Sequence, residues 1–252
     1  MTAHSTFSAS ASERWLNCPG SVQLAATAGP GAESEYAAEG TMAHDMATRC
    51  FARGHNAATY IGKLGKGATA EMAAAVQLYL DTVRADKAKH GVEESTLLIE
   101  QKIRLPGVDD RMFGTADAAL IHPGGLTVYD YKHGKGVPVS VESPQLVYYA
   151  LGFVLTRPLA QRIMHVEVVV VQPRCDFFDQ KVRRRIVPPA EIYDFILRLR
   201  AGVRAAEATD APRVPGKWCR FCPAASICPD REVVPHFVRP SPADLFDNLE
   251  GN

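Results

Sequence analysis

The sequence has no apolar run approaching the roughly 20 residues that a membrane-spanning helix needs. Its most apolar stretch, Val166 to Val171, is short and β-branched and reads as a buried strand. It also has no excess of charge: 28 Lys and Arg stand against 28 Asp and Glu, a formal net charge of +0. That excludes a uniformly basic coat for nucleic acid. A local basic groove stays open, because phosphate binding depends on where the cations sit. Residues Met1 to Ser12 are rich in Ser, Thr and Ala and lack the basic start and apolar stretch of a secretory signal. The expected location is cytoplasmic. There is no internal repeat and no long low-complexity tract.

What is present suffices for one sizeable core: 252 residues, 46% hydrophobic and 22% charged, ordinary values for a soluble globular protein. A short helix is expected over 11–26, turned near Cys18-Pro19-Gly20, and a second over 35–53, where Ala43, Met46, Ala47, Cys50 and Phe51 make an apolar stripe. A Gly-rich loop, 54–67, leads to a long helix, 68–90. Strands are expected at 96–105, 114–121 and 126–132, the last two joined by the turn His122-Pro123-Gly124-Gly125. Ser143-Pro144 reads as an N-cap with proline at the first helical position, opening a helix to about Leu155. Strands at 162–172 and 178–187 and a helix over 189–207 complete the series. The order predicts a mixed α/β layer arrangement.

The hairpin carries the chemistry. Pairing symmetric about Pro123-Gly124 sets Ile121 against Leu126, Ala119 against Val128 and Asp117 against Asp130. Directly opposed side chains lie about 5 Å apart at Cβ, and two carboxylates that close repel unless a cation joins them or one is protonated. A hard divalent ion with oxygen ligands resolves this. Lys132 follows Asp130 by two residues and shares its face. Such a group suits phosphodiester hydrolysis: metal activates water, and the lysine orients it or meets developing negative charge. Asp-x-Lys alone is common on solvated surfaces, but the apolar residues on both faces of this hairpin argue that it is buried, where bare aspartates are costly. Glu100 is a further candidate carboxylate, and Gln145 and Tyr149 share one helix face, on which Tyr149 also suits plain core packing. Lys132, His133, Lys135, Arg183, Arg184 and Arg185, and Arg198, Arg200 and Arg204 on one helix, are candidates for phosphate contact or for solvated faces.

Six cysteines are present, and Cys219-x2-Cys222-x5-Cys228 supplies three thiolates in one compact segment. Coordination by four needs another, and Cys18, beside its Pro-Gly turn, is the best candidate. Spacing alone admits zinc or iron–sulfur at four cysteines. Cys50 and Cys175 read as small packing residues.

The succession Gly40-x-x-x-His44, Gly114-Thr115-Ala116-Asp117, Asp130-Tyr131-Lys132 and Gln145-x-x-x-Tyr149 resembles the RecB-like branch of the PD-(D/E)XK nucleases, over about Ser12 to Asp230. Within it the chain looks most like phage- or prophage-encoded relatives of the CRISPR-associated RecB-like exonucleases. The resemblance implies a restriction-endonuclease-like mixed β-sheet flanked by helices, with the N- and C-terminal segments joined at a four-cysteine cluster. It implies His44, Asp117 and Asp130 as ligands of Mg²⁺ or Mn²⁺, Lys132 as catalytic, and Gln145 and Tyr149 as supports of the site and of DNA. It further implies a [4Fe–4S] cluster on Cys18, Cys219, Cys222 and Cys228. The expected unit is one nuclease domain, 1–230, with a tail, 231–252, acting on single-stranded or end-containing DNA. Two alternatives stand beside it: an inactive DNA-binding or scaffolding protein of the same fold, and a separate zinc module at the C-terminus, for which His236 is the nearby imidazole.

Overall fold

The computed structural model describes residues 5–29, 34–65, 67–157, 165–177 and 179–231. The expected start of a strand at 162–164, residue 178, His236 and all but the first residue of the tail lie outside them. Six α-helices and five strands are described: α1 (Ser12–Asn17), α2 (Gly20–Thr27), α3 (Glu35–Arg53), α4 (Ala70–Lys89), β1 (Thr96–Arg104), β2 (Phe113–His122), β3 (Gly125–Tyr131), α5 (Pro144–Thr156), β4 (His165–Val171), β5 (Val182–Val187) and α6 (Pro189–Glu207). None of the described helices is long and apolar enough to cross a membrane.

The first helix divides because Cys18 precedes a proline, which disfavours helical backbone there; Cys18 sits at φ −131°, ψ 77°. Ser34, Thr69 and Ser143 each cap a helix by accepting a backbone N–H bond, from Ala37, Met72 and Gln145. The strand expected from 178 begins at Val182. The described residues before it lie outside any strand, and Lys181 Nζ donates to the Cys175 carbonyl at 2.7 Å.

The strands form one sheet in the order β1-β2-β3-β4-β5. All neighbours are antiparallel except β3 and β4, a parallel pair that α5 connects. The α5 helix is buried at most positions from Pro144 to Val154 and packs with α6 on one face of the sheet; α3 and α4 cover the other. The close approach of α5 to β1 depends on Gly152, where a Cβ would stand 1.8 Å from Ile103 Cγ2.

One rung of the sheet is irregular. Before Glu100, Leu97 and Ile99 pack on the α3/α4 side; after it, Ile103 packs on the α5/α6 side. The neighbouring strand reverses at the same place, Ala118 lying on the α3/α4 side and Ala116 on the other. Glu100 makes the reversal with φ 47°, the one positive φ outside glycine among the described residues. Its cross-strand neighbour would be Asp117, and that rung is missing between Ile99↔Ala118 and Gln101↔Ala116.

Candidate functional site

The β2–β3 hairpin keeps the expected register, Ile121↔Leu126 and Ala119↔Val128, around the two-residue turn Pro123-Gly124. The ladder stops at Ala118↔Tyr129, one rung before the aspartates. The direct opposition of Asp117 and Asp130 expected from symmetry is therefore not part of the ladder. Here β2 turns away from β3, and the Asp117 carboxylate takes the ladder's place by accepting the Tyr131 N–H at 2.7 Å. The sheet opens where its acidic residues lie.

Three side chains meet in that opening. His44 Nδ1, on α3, lies 3.6 Å from Asp117 Oδ1 and 3.7 Å from Glu100 Oε1. A ligand atom from each of the three falls within 4.8 Å of the others. The Tyr131 ring meets His44 edge-on at 5.5 Å and stacks on Tyr79 at 5.0 Å, so the imidazole rests on a packed aromatic wall. Burial pushes the Asp117 carboxyl up to about 6; His44 opposes the rise and the Asp130 charge adds to it. Burial pulls the His44 imidazole down, yet its bond to Glu100 and the Asp117 charge outweigh that and leave it raised. Both shifts favour the protonated forms, which a bound divalent ion would oppose.

A second array adjoins it. Lys132 Nζ donates to Asp130 Oδ1 at 2.9 Å and approaches Gln145 Oε1 at 3.4 Å. Gln145 Nε2 donates to the same Asp130 oxygen at 3.1 Å and to the Tyr149 hydroxyl at 3.3 Å. Burial lowers the Lys132 ammonium, but Asp130 and Asp117 more than restore it, so it stays charged. Asp130 is 1% exposed, and its other oxygen, Oδ2, has no hydrogen-bond partner among the described residues. A buried carboxylate oxygen left bare costs free energy that a bound cation or water would recover.

The metal-ligand group therefore differs in one member from the expected His44, Asp117 and Asp130. Glu100 has joined it, and Asp130 stands beside it, drawn to Lys132 and Gln145. Glu100 is underrated by sequence reasoning because its position follows from a left-handed backbone that no strand pattern announces.

The comparisons extend over the same residues. A family model described as a protein of unknown function, DUF2800, matches residues 4–236. The chain belongs to that family. The crystal structure of SSO0001 is similar over 86% of this DUF2800 chain and 96% of its own, with 14% identity and a TM-score of 0.36.

Several cations proposed from the sequence are engaged elsewhere in the DUF2800 chain. Arg184 pairs with Asp86 and Glu167, Arg185 with Glu142 and Glu191, and Arg183 donates to the Val139 carbonyl and Gln172. Lys135 pairs with Glu71, and Arg174, which the sequence did not single out, bridges Glu39 and Glu71. His133 is buried against the Tyr131 hydroxyl, 2.7 Å from Nδ1, and burial depresses its imidazole to about 4.

The expected joining of the four cysteines in one cluster is not seen among the described residues. Cys18, Cys219, Cys222 and Cys228 line a single cavity with Val214 and Trp218. The Val214 N–H points to the Cys18 sulfur at 3.3 Å and the Gly216 N–H to the Cys219 sulfur at 3.5 Å. No three described thiols lie within 4.8 Å of one another, so the tight four-thiolate shell of a single ion is absent among the described residues. Cys50 and Cys175 are buried away from this cavity, and burial raises the Cys50 thiol.

Proposed function

We propose that this chain is a divalent-metal-dependent DNA nuclease of the PD-(D/E)XK, RecB-like kind, with an iron–sulfur cluster on Cys18, Cys219, Cys222 and Cys228. One observation carries the reading: the His44–Glu100–Asp117 group lies beside the bonded array Asp130–Lys132–Gln145–Tyr149, at the point where the sheet opens. The donor set, one imidazole and hard carboxylate oxygens, fits Mg²⁺ or Mn²⁺. An ion held by His44, Glu100 and Asp117 would supply a water of lowered pKa and neutralise charge on the scissile phosphate. The protein's own residues do the rest. Asp130 fixes the ammonium of Lys132, which meets negative charge as it develops at phosphorus-bound oxygen. Gln145 bridges Asp130 and Tyr149, which keeps both on one side of the opening. The Tyr79–Tyr131 stack supports His44 and excludes water from its rear.

The cluster is proposed from the resemblance together with the four cysteines that line one cavity. Backbone N–H donors on two of the sulfurs stabilise thiolate charge.

The test is incubation of anaerobically purified protein with end-labelled single- and double-stranded DNA and Mg²⁺ or Mn²⁺, beside Asp130→Ala. Metal-dependent cleavage lost in Asp130→Ala is expected. Cleavage undiminished in that variant, or absent from the wild type with either metal, overturns the reading. The visible spectrum of the same preparation should be broad and brown, and should bleach on chelation; a colourless protein with stoichiometric zinc overturns the cluster alone.

A further inference from the structure

The strand reversal at Glu100 has an effect beyond bringing one carboxylate to His44. Past it, every second residue of β1 points away from the α5/α6 core. Ile103 and Leu105 are buried there, whereas Lys102 and Arg104 are exposed on the opposite face. Their cross-strand partners on β2 are Thr115 and Phe113. The Arg104 guanidinium stands 5.9 Å from the Phe113 ring centroid. This face is the continuation of the one that α3 and α4 cover over Tyr129 and Tyr131, and here no described helix covers it. It leads away from Glu100 and Asp117, because Lys102 and Arg104 follow Glu100 at alternate positions.

Lys102 and Arg104 differ from the other cations of this end of the sheet. Lys132, Lys135 and Arg174 are each held by a carboxylate. Among the described residues, neither Lys102 nor Arg104 has a carboxylate within ion-pair distance. Alternate residues of a strand are spaced by about 6.6 Å, close to the step between successive phosphates of an extended nucleic-acid strand. Phe113 adds an aromatic surface for a base, and Thr115 a hydroxyl donor. Cations in a row with an interleaved aromatic form the usual combination for binding one strand without reading its sequence.

We propose that Lys102 and Arg104, with Phe113 and Thr115 across from them, form a phosphate-binding track that seats a single nucleic-acid strand on one side of the metal centre. This assignment rests on the nuclease reading for its position in catalysis, but strand binding can be measured without cleavage. The probe is a fluorescein-labelled oligothymidylate of about 12 nucleotides, followed by anisotropy with Ca²⁺ in place of Mg²⁺ and over a series of salt concentrations. The proteins are wild type, Lys102→Ala/Arg104→Ala, and Lys87→Ala/Lys89→Ala, which removes equal charge at the far end of α4.

Loss of two phosphate contacts should lower the slope of log affinity against log salt by about 1.4, at about 0.7 per contact for a single strand. The Lys87/Lys89 variant should keep the wild-type slope. Equal slopes for wild type and Lys102→Ala/Arg104→Ala, equal losses in both variants, or no binding by the wild type would each overturn the track. Cleavage is scored separately with Mn²⁺. A wild type that binds through the track and does not cleave overturns the nuclease reading and leaves the track standing. A wild type that cleaves while the Lys102/Arg104 variant binds unchanged does the reverse.

Discussion

Asp130 has two oxygens in different circumstances: Oδ1 accepts from both Lys132 and Gln145, while Oδ2 is buried and bare. Lys132→Ala should therefore reduce turnover by roughly 10²–10³-fold, the usual cost of losing a preorganised electrostatic partner. It should leave Mn²⁺ affinity, followed by calorimetry, little changed. A loss of affinity equal to the loss of turnover would make Lys132 a support of the metal instead. A second residue reports on pH. His122 is buried at the end of β2, stacks on His90 at a centroid distance of 3.8 Å, and has His165, Glu167, Thr127 and the Pro123 carbonyl as its other polar neighbours. Burial first, then the charge of His90, lowers its imidazole from 6.5. A histidine with a depressed folded pKa contributes stability that is complete above the unfolded value and is lost as pH falls below it toward the folded one. Urea midpoints should fall between about pH 7.5 and about pH 5.5, and His122→Gln should shrink that fall. An unchanged difference would remove His122 from the acid response. At this scale the sequence indicated which residues adjoin where chemistry and spacing coincide, as for Asp130, Lys132, Gln145 and Tyr149. It was silent on Arg174 and on the His90–His122 stack, whose members are brought together only by tertiary packing.

Among the elements, β1 and β2 reverse their faces at one rung, and both residues of that rung are acidic. The left-handed backbone at Glu100 costs on the order of 1–3 kcal/mol, and its charge stands near that of Asp117. Glu100→Gln should slightly lower the melting temperature of metal-free protein, because it removes the carboxylate that pairs with the raised His44 imidazole. It should also diminish the rise produced by Mn²⁺, since a ligand is lost. Differential scanning calorimetry with and without Mn²⁺ checks both, and an undiminished metal effect would exclude Glu100 as a ligand. Helix α5 makes a separate prediction. Gly152→Ala should destabilise the fold by about 2–3 kcal/mol or more, because the new methyl overlaps Ile103 and neither backbone can yield without disturbing the core. A urea midpoint equal to wild type would contradict the close approach. The hairpin, its register and the Ser143-Pro144 helix start were legible because turn chemistry and capping are local. The reversal at Glu100 was not, since alternation on either side of it reads as one continuous strand.

At the scale of the molecule, the two ends of the described chain are held together by hydrogen bonds and packing. Gly20 donates its N–H to the Pro212 carbonyl at 2.9 Å, and Gln23 Nε2 donates to the carbonyls of Ala206 and Ala208 at 2.8 Å. Trp15 lies fully buried against α6, where a Cβ on Gly202 would meet its ring at 2.9 Å. Cys18→Ser should thus lower the melting temperature and remove visible absorption together, whereas Cys50→Ser should keep the absorption. Absorption retained by Cys18→Ser would separate the N-terminus from the cluster. The sequence pointed to Cys18 through coordination number, but the hydrogen bonds and glycine contacts that draw the ends together depend on the folded path and have no local signature. The arginine row of β5 has a consequence at the largest scale, between molecules. The β5 strand is an edge of the sheet, with Ile186 61% exposed, and an open edge of this kind invites a strand from another copy. Arg183, Arg184 and Arg185 surround that edge with charges already committed to Asp86, Glu142, Glu167, Glu191 and the Val139 carbonyl. Charged side chains along an edge strand disfavour the addition of a further strand, so the row disfavours edge-to-edge pairing of copies.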